Sequence, residues 1–394
     1  MAAPAESAPW VIVAGGFHQH GGMDRANAAL AACLLDDGHR VHLVGHEIDQ
    51  QLGGHRLATT HAVARPRGAP ALAERLLART GASVARGVLA GDHNARVVVN
   101  GGNCIWPDIN WLHAVHAAWP VRDDGAPWWS RYRTRRLKRL AIARERAALR
   151  AARIVIANSD ATRRAAIDRV GVARARVHTV FLGSDPGWGV PAAAERVAAR
   201  DALGVPPDVP VVLFVGALGN DINKGFDLLW QAWRRLSRAG SWNARLIVAG
   251  GGWRAAAWQR QAERWYPPGH VRFLGFTPHV REVLAAGDLL VSPVRYEAYG
   301  LNVHEALCRG LAVMVTETAG VVERFDSTMS PALLPQGVTA DALADRLRAW
   351  RADVEGWRAR GAATAARLRG RSWTAMAAEL IAVVQESRTR AASA

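Results

Sequence analysis

Short β-rich runs alternate with alanine-rich helical stretches along this chain, and they do so in two sets divided by prolines and glycines. That alternation constrains the fold most, because parallel strands must be joined by long crossovers, usually helices. The first set of expected strands is Trp10–Ala14, Val41–Val44, Arg96–Asn100, Asn110–His116, Ile154–Asn158 and Val177–Leu182. The second is Pro210–Val215, Ala244–Ala249, Val271–Gly275, Asp288–Ser292 and Ala312–Thr316. Residues 184–209 carry the Pro and Gly punctuation of an interdomain connection. Two α/β domains of doubly wound, Rossmann-like parallel sheets are therefore expected, over 1–183 and 210–372, with a closing helix over 373–390. Sheets of this kind take ligands at the carboxyl ends of their strands.

A chain of 394 residues, half of them hydrophobic, is long enough to bury two cores. No apolar run reaches the ~18 residues of a membrane span. The run Trp10–Ala14 lacks a basic leader and ends in glycines, so it reads as a first strand rather than a signal peptide. Three scattered cysteines (Cys33, Cys104, Cys308) do not make a disulfide framework, and a cytoplasmic location is expected. The formal charge of +16 is uneven: residues 1–183 hold 25 Lys+Arg against 14 Asp+Glu, the remainder 25 against 20. Of the 50 basic residues 48 are Arg, so the two lysines, Lys138 and Lys224, invite a functional question. Lys138 is lost among arginines.

The most informative segment is 288–323, where a buried-looking strand ends in Ser292-Pro293 and a loop delivers Glu297, Gly300 and Glu305. Gly300 permits close backbone approach, and the N–H groups opening the next helix favour an anion such as a phosphate. Two carboxylates bordering that helix mouth suit a polyhydroxylated ligand. Phosphate and hydroxyls side by side suggest a nucleotide sugar.

The segment resembles the donor signature of retaining GT-B glycosyltransferases, the glycosyltransferase family 4 group. Its elements are Glu297, Gly300, Glu305 and Gly320, together with Glu305-Ala306-Leu307-Cys308-Arg309-Gly310. The resemblance implies two domains facing across a cleft and metal-independent transfer from a UDP- or GDP-linked sugar, with no cofactor. It implies that Glu297 holds sugar hydroxyls and Glu305 the ribose diol. Tyr299, Gly300, Leu301 and Asn302 would meet the diphosphate with Lys224, and Phe276 would meet the nucleobase through its backbone. The closing helix would cross back onto the first domain.

Two glycine-bearing loops follow first strands. Gly15-Gly16-Phe17-His18-Gln19-His20-Gly21-Gly22 resembles the family's first glycine loop, with Gly21 and Gly22 toward the diphosphate. The second domain opens on Gly216-Ala217-Leu218-Gly219, then Lys224-Gly225. The family pattern has an Arg where Ala217 stands, so the diphosphate would lack one cation unless Arg25 or Arg295 supplied it. A cation at a helix start opposes the helix dipole, and a phosphate facing Lys224 resolves that conflict. Of two histidines at the end of Asn110–His116, alternation places His113 and His116 on opposite faces. His116 matches the family's pocket histidine, beside Glu297 and Lys224 as catalytic groups.

No two aspartates are separated by one residue and no His/Cys cluster has zinc spacing, so no metal site is expected. Residues 131–150 hold nine basic residues and one acid, after five tryptophans (106, 111, 119, 128, 129). Leu137, Leu140, Ala141 and Ala148 share one side of such a helix. Three readings of 128–150 stand open: an anionic membrane surface, nucleic acid, or a solvated helix packed on its domain. Nucleic acid is not expected as a partner, since it leaves the acidic motif unexplained. The acceptor is expected to be a glycan or lipid-linked saccharide in cell-surface polysaccharide or glycoconjugate synthesis. An epimerase or phosphorylase on the same scaffold, or a binding-only protein, are the alternatives.

Overall fold

The computed structural model describes residues 8–19, 21–120, 128–219, 222–238, 240 and 242–392. They divide into two compact units. Residues 8–119, 128–183 and 372–392 form one, and 184–371 with Pro120 form the other.

Runs of β-branched residues build both sheets, every strand pair of which is parallel. Such strands are covered on both faces, which is why Val11–Val13, Val97–Val99 and Val211–Leu213 are almost fully buried. From edge to edge the first sheet runs Ala58–Ala62, Val41–Gly45, Trp10–Val13, Arg96–Asn100, Ile109–Leu112, Ile154–Ala157 and Val177–Thr179. The second runs Val271–Gly275, Arg245–Ala249, Val211–Val215, Leu289–Ser292, Ala312–Thr316 and Leu333–Leu334. Ala58–Ala62 and Leu333–Leu334 escape a reading of the sequence. The first is half exposed and threonine-bearing, and the second is two residues long.

Strand order reverses beside Trp10–Val13 in the first sheet and between Val211–Val215 and Leu289–Ser292 in the second. Each reversal leaves a crevice at the strands' carboxyl ends, because the connections on its two sides lead to opposite faces of the sheet. Gly15–Gly22 follows the first reversal. Gly216–Lys224 and Pro293–Gly300 follow the second.

Two expectations need correction. The strand expected over Asn110–His116 ends at Leu112, so alternation does not govern His113 and His116. The connection expected over 184–209 contains the helix Ala193–Ala202, which packs in the second unit. Its Arg196 and Arg200 reach Asp288 at 2.5 and 2.7 Å, and Arg358 adds a third contact at 3.1 Å. A buried carboxylate needs such partners, and here they tie the segment to the start of the strand Leu289–Ser292. Leu137 and Leu140 are exposed on the helix Trp128–Ala151, whose buried residues cluster toward its end as Glu145, Ala148 and Leu149.

The closing helix, Trp373–Ala392, packs on Gly22–Asp36 in the first unit and buries Met376, Leu380 and Val384. Among the described residues, no helix is long and apolar enough to cross a membrane.

Candidate active site

Two loops of the second unit are clasped together at its crevice. The helix Phe226–Arg238 puts Phe226, Leu229, Trp230 and Trp233 into the core at helical spacing. The preceding turn is thereby fixed against the sheet. Gly225 has φ of +75°, and a Cβ there would lie 2.0 Å from the Pro293 carbonyl oxygen. Only glycine allows this approach. The Arg295 N–H donates to the Asn223 carbonyl at 2.7 Å, and the Asn302 amide donates to the Val215 carbonyl at 2.9 Å.

The clasp sets Lys224 against Glu297, with Nζ 2.5 Å from Oε2. Lys224 keeps 39% of its side chain exposed and Glu297 15%. The charge conflict at the start of Phe226–Arg238 is therefore met by a carboxylate of the chain itself. A phosphate arriving at Lys224 would compete with Glu297 and free it for hydroxyls.

Glu297 precedes the helix Leu301–Cys308, whose N-cap is Gly300 at φ +103°, and the buried Glu305 lies within it. The N–H groups of that first turn make the mouth attractive to anions. The Gly320 N–H lies 3.4 Å from the Glu297 carbonyl, and the Val321 N–H donates to the Tyr299 carbonyl at 2.7 Å. Tyr299 turns its side chain into the core, where burial pushes its hydroxyl up from the ordinary tyrosine value. A ligand at this mouth would meet Tyr299 through its backbone.

The cation expected at position 217 has a different candidate from those the sequence suggests. Arg295 gives both guanidinium nitrogens to Asp227, at 2.8 and 2.7 Å, and Arg25 donates to the Gln19 carbonyl. Arg254 instead lines a shallow concavity with Ala217, Leu218, Lys224, Asp227 and Trp258. It arrives there because the glycine run after Arg245–Ala249 packs directly on the Gly216 loop. The Leu218 N–H donates to the Gly251 carbonyl at 2.9 Å, and the Arg254 N–H returns to the Leu218 carbonyl at 3.1 Å. Gly250-Gly251-Gly252 was the signal in the sequence. Phe276, 75% exposed, stands against Gly251, where a Cβ would come within 3.3 Å of its own Cβ.

In the first unit, Gly21 and Gly22 open the helix Gly22–Asp36 as expected. The helix mouth holds Asp24 in its first turn, however, with His18 3.8 Å away and Glu47 3.5 Å from the same His18 nitrogen. Burial holds the Asp24 carboxyl above the usual aspartate range. His20 lies outside the described residues.

His116 and His113 separate clearly. His116 Nδ1 is 2.8 Å from Glu145, and its backbone N–H donates to the same carboxylate at 2.9 Å. The hydrogen bond to Glu145 raises the imidazole above its ordinary value. Glu145 is the single acid of 131–150, and it is buried. That solitary acid was the legible signal. His113 packs on Trp111 with ring centroids 4.6 Å apart, and burial pushes it down to about 3. Among the described residues, no three His, Cys, Asp or Glu side chains converge to hold a metal ion.

Comparison with known proteins bears on the whole chain. The family model Glycosyltransferase Family 4 matches residues 20–188, and the model Glycosyl transferases group 1 matches residues 209–353. The D-inositol 3-phosphate glycosyltransferase of Xylanimonas cellulosilytica is 33% identical over 254 residues, 60% of this chain and 59% of that protein. The chain spans between a fifth and three fifths of the length of such curated relatives. WaaG, a glycosyltransferase involved in lipopolysaccharide biosynthesis, superposes with a TM-score of 0.75 at 18% identity, over 95% of this chain and 99% of WaaG. HepE of Anabaena, in complex with UDP and glucose, gives 0.69 at 16% identity, over 96% and 100%. These two likenesses establish the fold.

Proposed function

Since the chain belongs to the glycosyltransferase family 4 group and has its α/β GT-B fold, we propose that it is a hexosyltransferase acting on a nucleoside diphosphate sugar. The observation that carries this reading is the Lys224–Glu297 pair at the mouth of Leu301–Cys308. A cation, an acid and the first turn of a helix at one mouth suit a diphosphate beside a sugar.

In this reading the donor diphosphate meets Lys224, Arg254 and the backbone of Tyr299, Gly300, Leu301 and Asn302. Glu297 takes the sugar hydroxyls and Glu305 the ribose diol. Gly216 and the Phe276 backbone border the nucleotide. The bond from the anomeric carbon to the phosphate oxygen breaks, and the acceptor hydroxyl oxygen bonds to that carbon. The acceptor's proton leaves on the departing nucleoside diphosphate. Same-face attack retains the anomeric configuration and needs no metal. HepE, crystallised with UDP, supports a uridine-linked donor, and guanosine is the alternative.

The acceptor we assign is a glycan or lipid-linked saccharide, as in cell-surface polysaccharide or glycoconjugate assembly. Support comes from the exposed start of Trp128–Ala151, with Trp128 79% and Tyr132 67% exposed among arginines. Aromatic rings with arginines suit an anionic bilayer surface on the cytoplasmic side. Liposome sedimentation tests that part: pelleting with anionic lipid at low salt is expected, and none in its presence ends the membrane assignment.

Thermal-shift screening against nucleoside diphosphates and their sugars tests the donor reading without an acceptor, because a ligand of the native state raises the melting temperature. A shift with UDP or GDP and its sugars is expected. No shift with any nucleotide would overturn the function.

A further inference from the structure

A buried hydrogen-bond chain runs out of the loop that carries Glu297. Tyr299, His304 and Ser184 are all buried. The Tyr299 hydroxyl is 2.7 Å from His304 Nδ1, and His304 Nε2 is 2.5 Å from Ser184 Oγ. Ser184 Oγ is in turn 2.7 Å from the Leu368 carbonyl oxygen.

Counting donors and acceptors gives the chain a direction. The Leu368 carbonyl only accepts, so the Ser184 hydroxyl spends its single proton there. Ser184 Oγ then accepts from His304 Nε2–H. With neutral imidazole, Nδ1 is left to accept the Tyr299 proton. Each group donates to the next, and hydrogen bonds in such a series reinforce one another.

Both ends are anchored. Tyr299 accepts from the Val321 N–H through its own carbonyl, and the Ser184 N–H donates to the Arg371 carbonyl at 2.8 Å. Ser184 and Arg371 are the first and last residues of the stretch 184–371, where the chain enters and leaves the second unit. Gly183 and Ser372, the next residues on the first unit's side, approach so closely that a Cβ on Gly183 would lie 2.5 Å from the Ser372 carbonyl oxygen. An apolar residue at 304 would fill the same volume without fixing the Tyr299 hydroxyl.

We propose that His304 is a positioning residue of the donor site, setting the Glu297–Gly300 loop through Tyr299 according to the placement of the Ser184–Arg371 junction. The proposal rests on the donor reading of 297–305. Its distinguishing consequence lies at Ser184, which the donor reading gives no ligand contact.

The test is isothermal titration with whichever of UDP or GDP binds the unaltered chain more tightly, beside melting temperatures. Ser184→Ala and Tyr299→Phe are each expected to weaken binding about tenfold, as loss of one buried hydrogen bond warrants. The double variant should be no worse than the weaker single, because both act through one chain. His304→Gln, which keeps an acceptor and a donor, should bind better than His304→Leu. Unchanged binding by Ser184→Ala with a lowered melting temperature would reduce the chain to core packing and overturn the proposal while leaving the donor site intact. If Ser184→Ala fails to fold, Tyr299→Phe decides by the same readout. No nucleotide binding by the unaltered chain would sink the donor reading and this proposal together.

Discussion

Two helix mouths occupy comparable places in this protein, each after the first strand in chain order of a parallel sheet, and they differ in their charged side chains. The first unit's mouth, at Gly21-Gly22, is occupied by Asp24, with His18 and Glu47 behind it. The second unit's crevice has Lys224, Arg254 and Asp227 around Ala217, with Glu297 paired to Lys224. Topology supplies both crevices. Both helices carry an acid in the first turn, but Asp227 is taken up by Arg295 while Lys224 stands beside Glu297, whereas Asp24 answers the dipole of its own helix. Glycine loops of similar appearance can thus have different electrostatic roles.

The largest effect that would break this contrast is expected at Lys224. Lys224→Ala should lower steady-state transfer more than a hundredfold, since oxyanion-type contacts are worth ~2.7–4 kcal/mol. Near-normal turnover would remove Lys224 from the mechanism. Gly225→Ala comes next, because its Cβ would meet the Pro293 carbonyl at a φ of +75°. Strain of about 1–3 kcal/mol before the clash itself should lower the melting temperature and loosen the Lys224–Glu297 contact. Calorimetry with nucleotide titration would detect both, and unchanged nucleotide affinity would disprove the clasp.

Arg254→Ala against Asp24→Asn sharpens the comparison directly. The first should weaken nucleoside diphosphate binding about tenfold, as loss of a charged hydrogen bond does, with little change in melting. The second should leave that affinity unchanged. Equal losses in titration would mean that both mouths serve the nucleotide.

A separate test concerns the two histidines of the first unit, read as melting temperature against pH. His113 is depressed to about 3 from an ordinary ~6.5, so the folded state binds fewer protons. Its contribution is full above ~6.5 and is lost as pH falls toward 3. His116 is raised by Glu145, so its contribution is full below ~6.5 and is lost as pH rises through the raised value. His113→Phe should flatten the acid limb and His116→Gln the neutral one. The reverse pattern would contradict the burial of His113 and the Glu145 contact of His116.

Much of this was legible in the residues themselves. Runs such as Val97–Asn100 and Leu289–Ser292 are apolar enough to declare buried parallel strands, and Glu297, Gly300 and Glu305 fall where their spacing put them. Ala58–Ala62 was missed because edge strands lack that apolar density. Arg254 was missed among 48 arginines, because a cation's role depends on the loop it faces across space. Glu145 was visible as a lone acid, but its partner His116 lies 29 residues away.

The amino-acid order alone determined two parallel sheets, the positions of the glycine turns and the acid pair at a helix mouth, since strand, turn and helix signals act over neighbouring residues. Tertiary structure alone decided that Lys224 faces Glu297, that Asp24 fills the other mouth and that Tyr299 turns inward to His304 and Ser184. Those outcomes depend on which distant loops approach within hydrogen-bonding range, and packing against the sheets sets that distance.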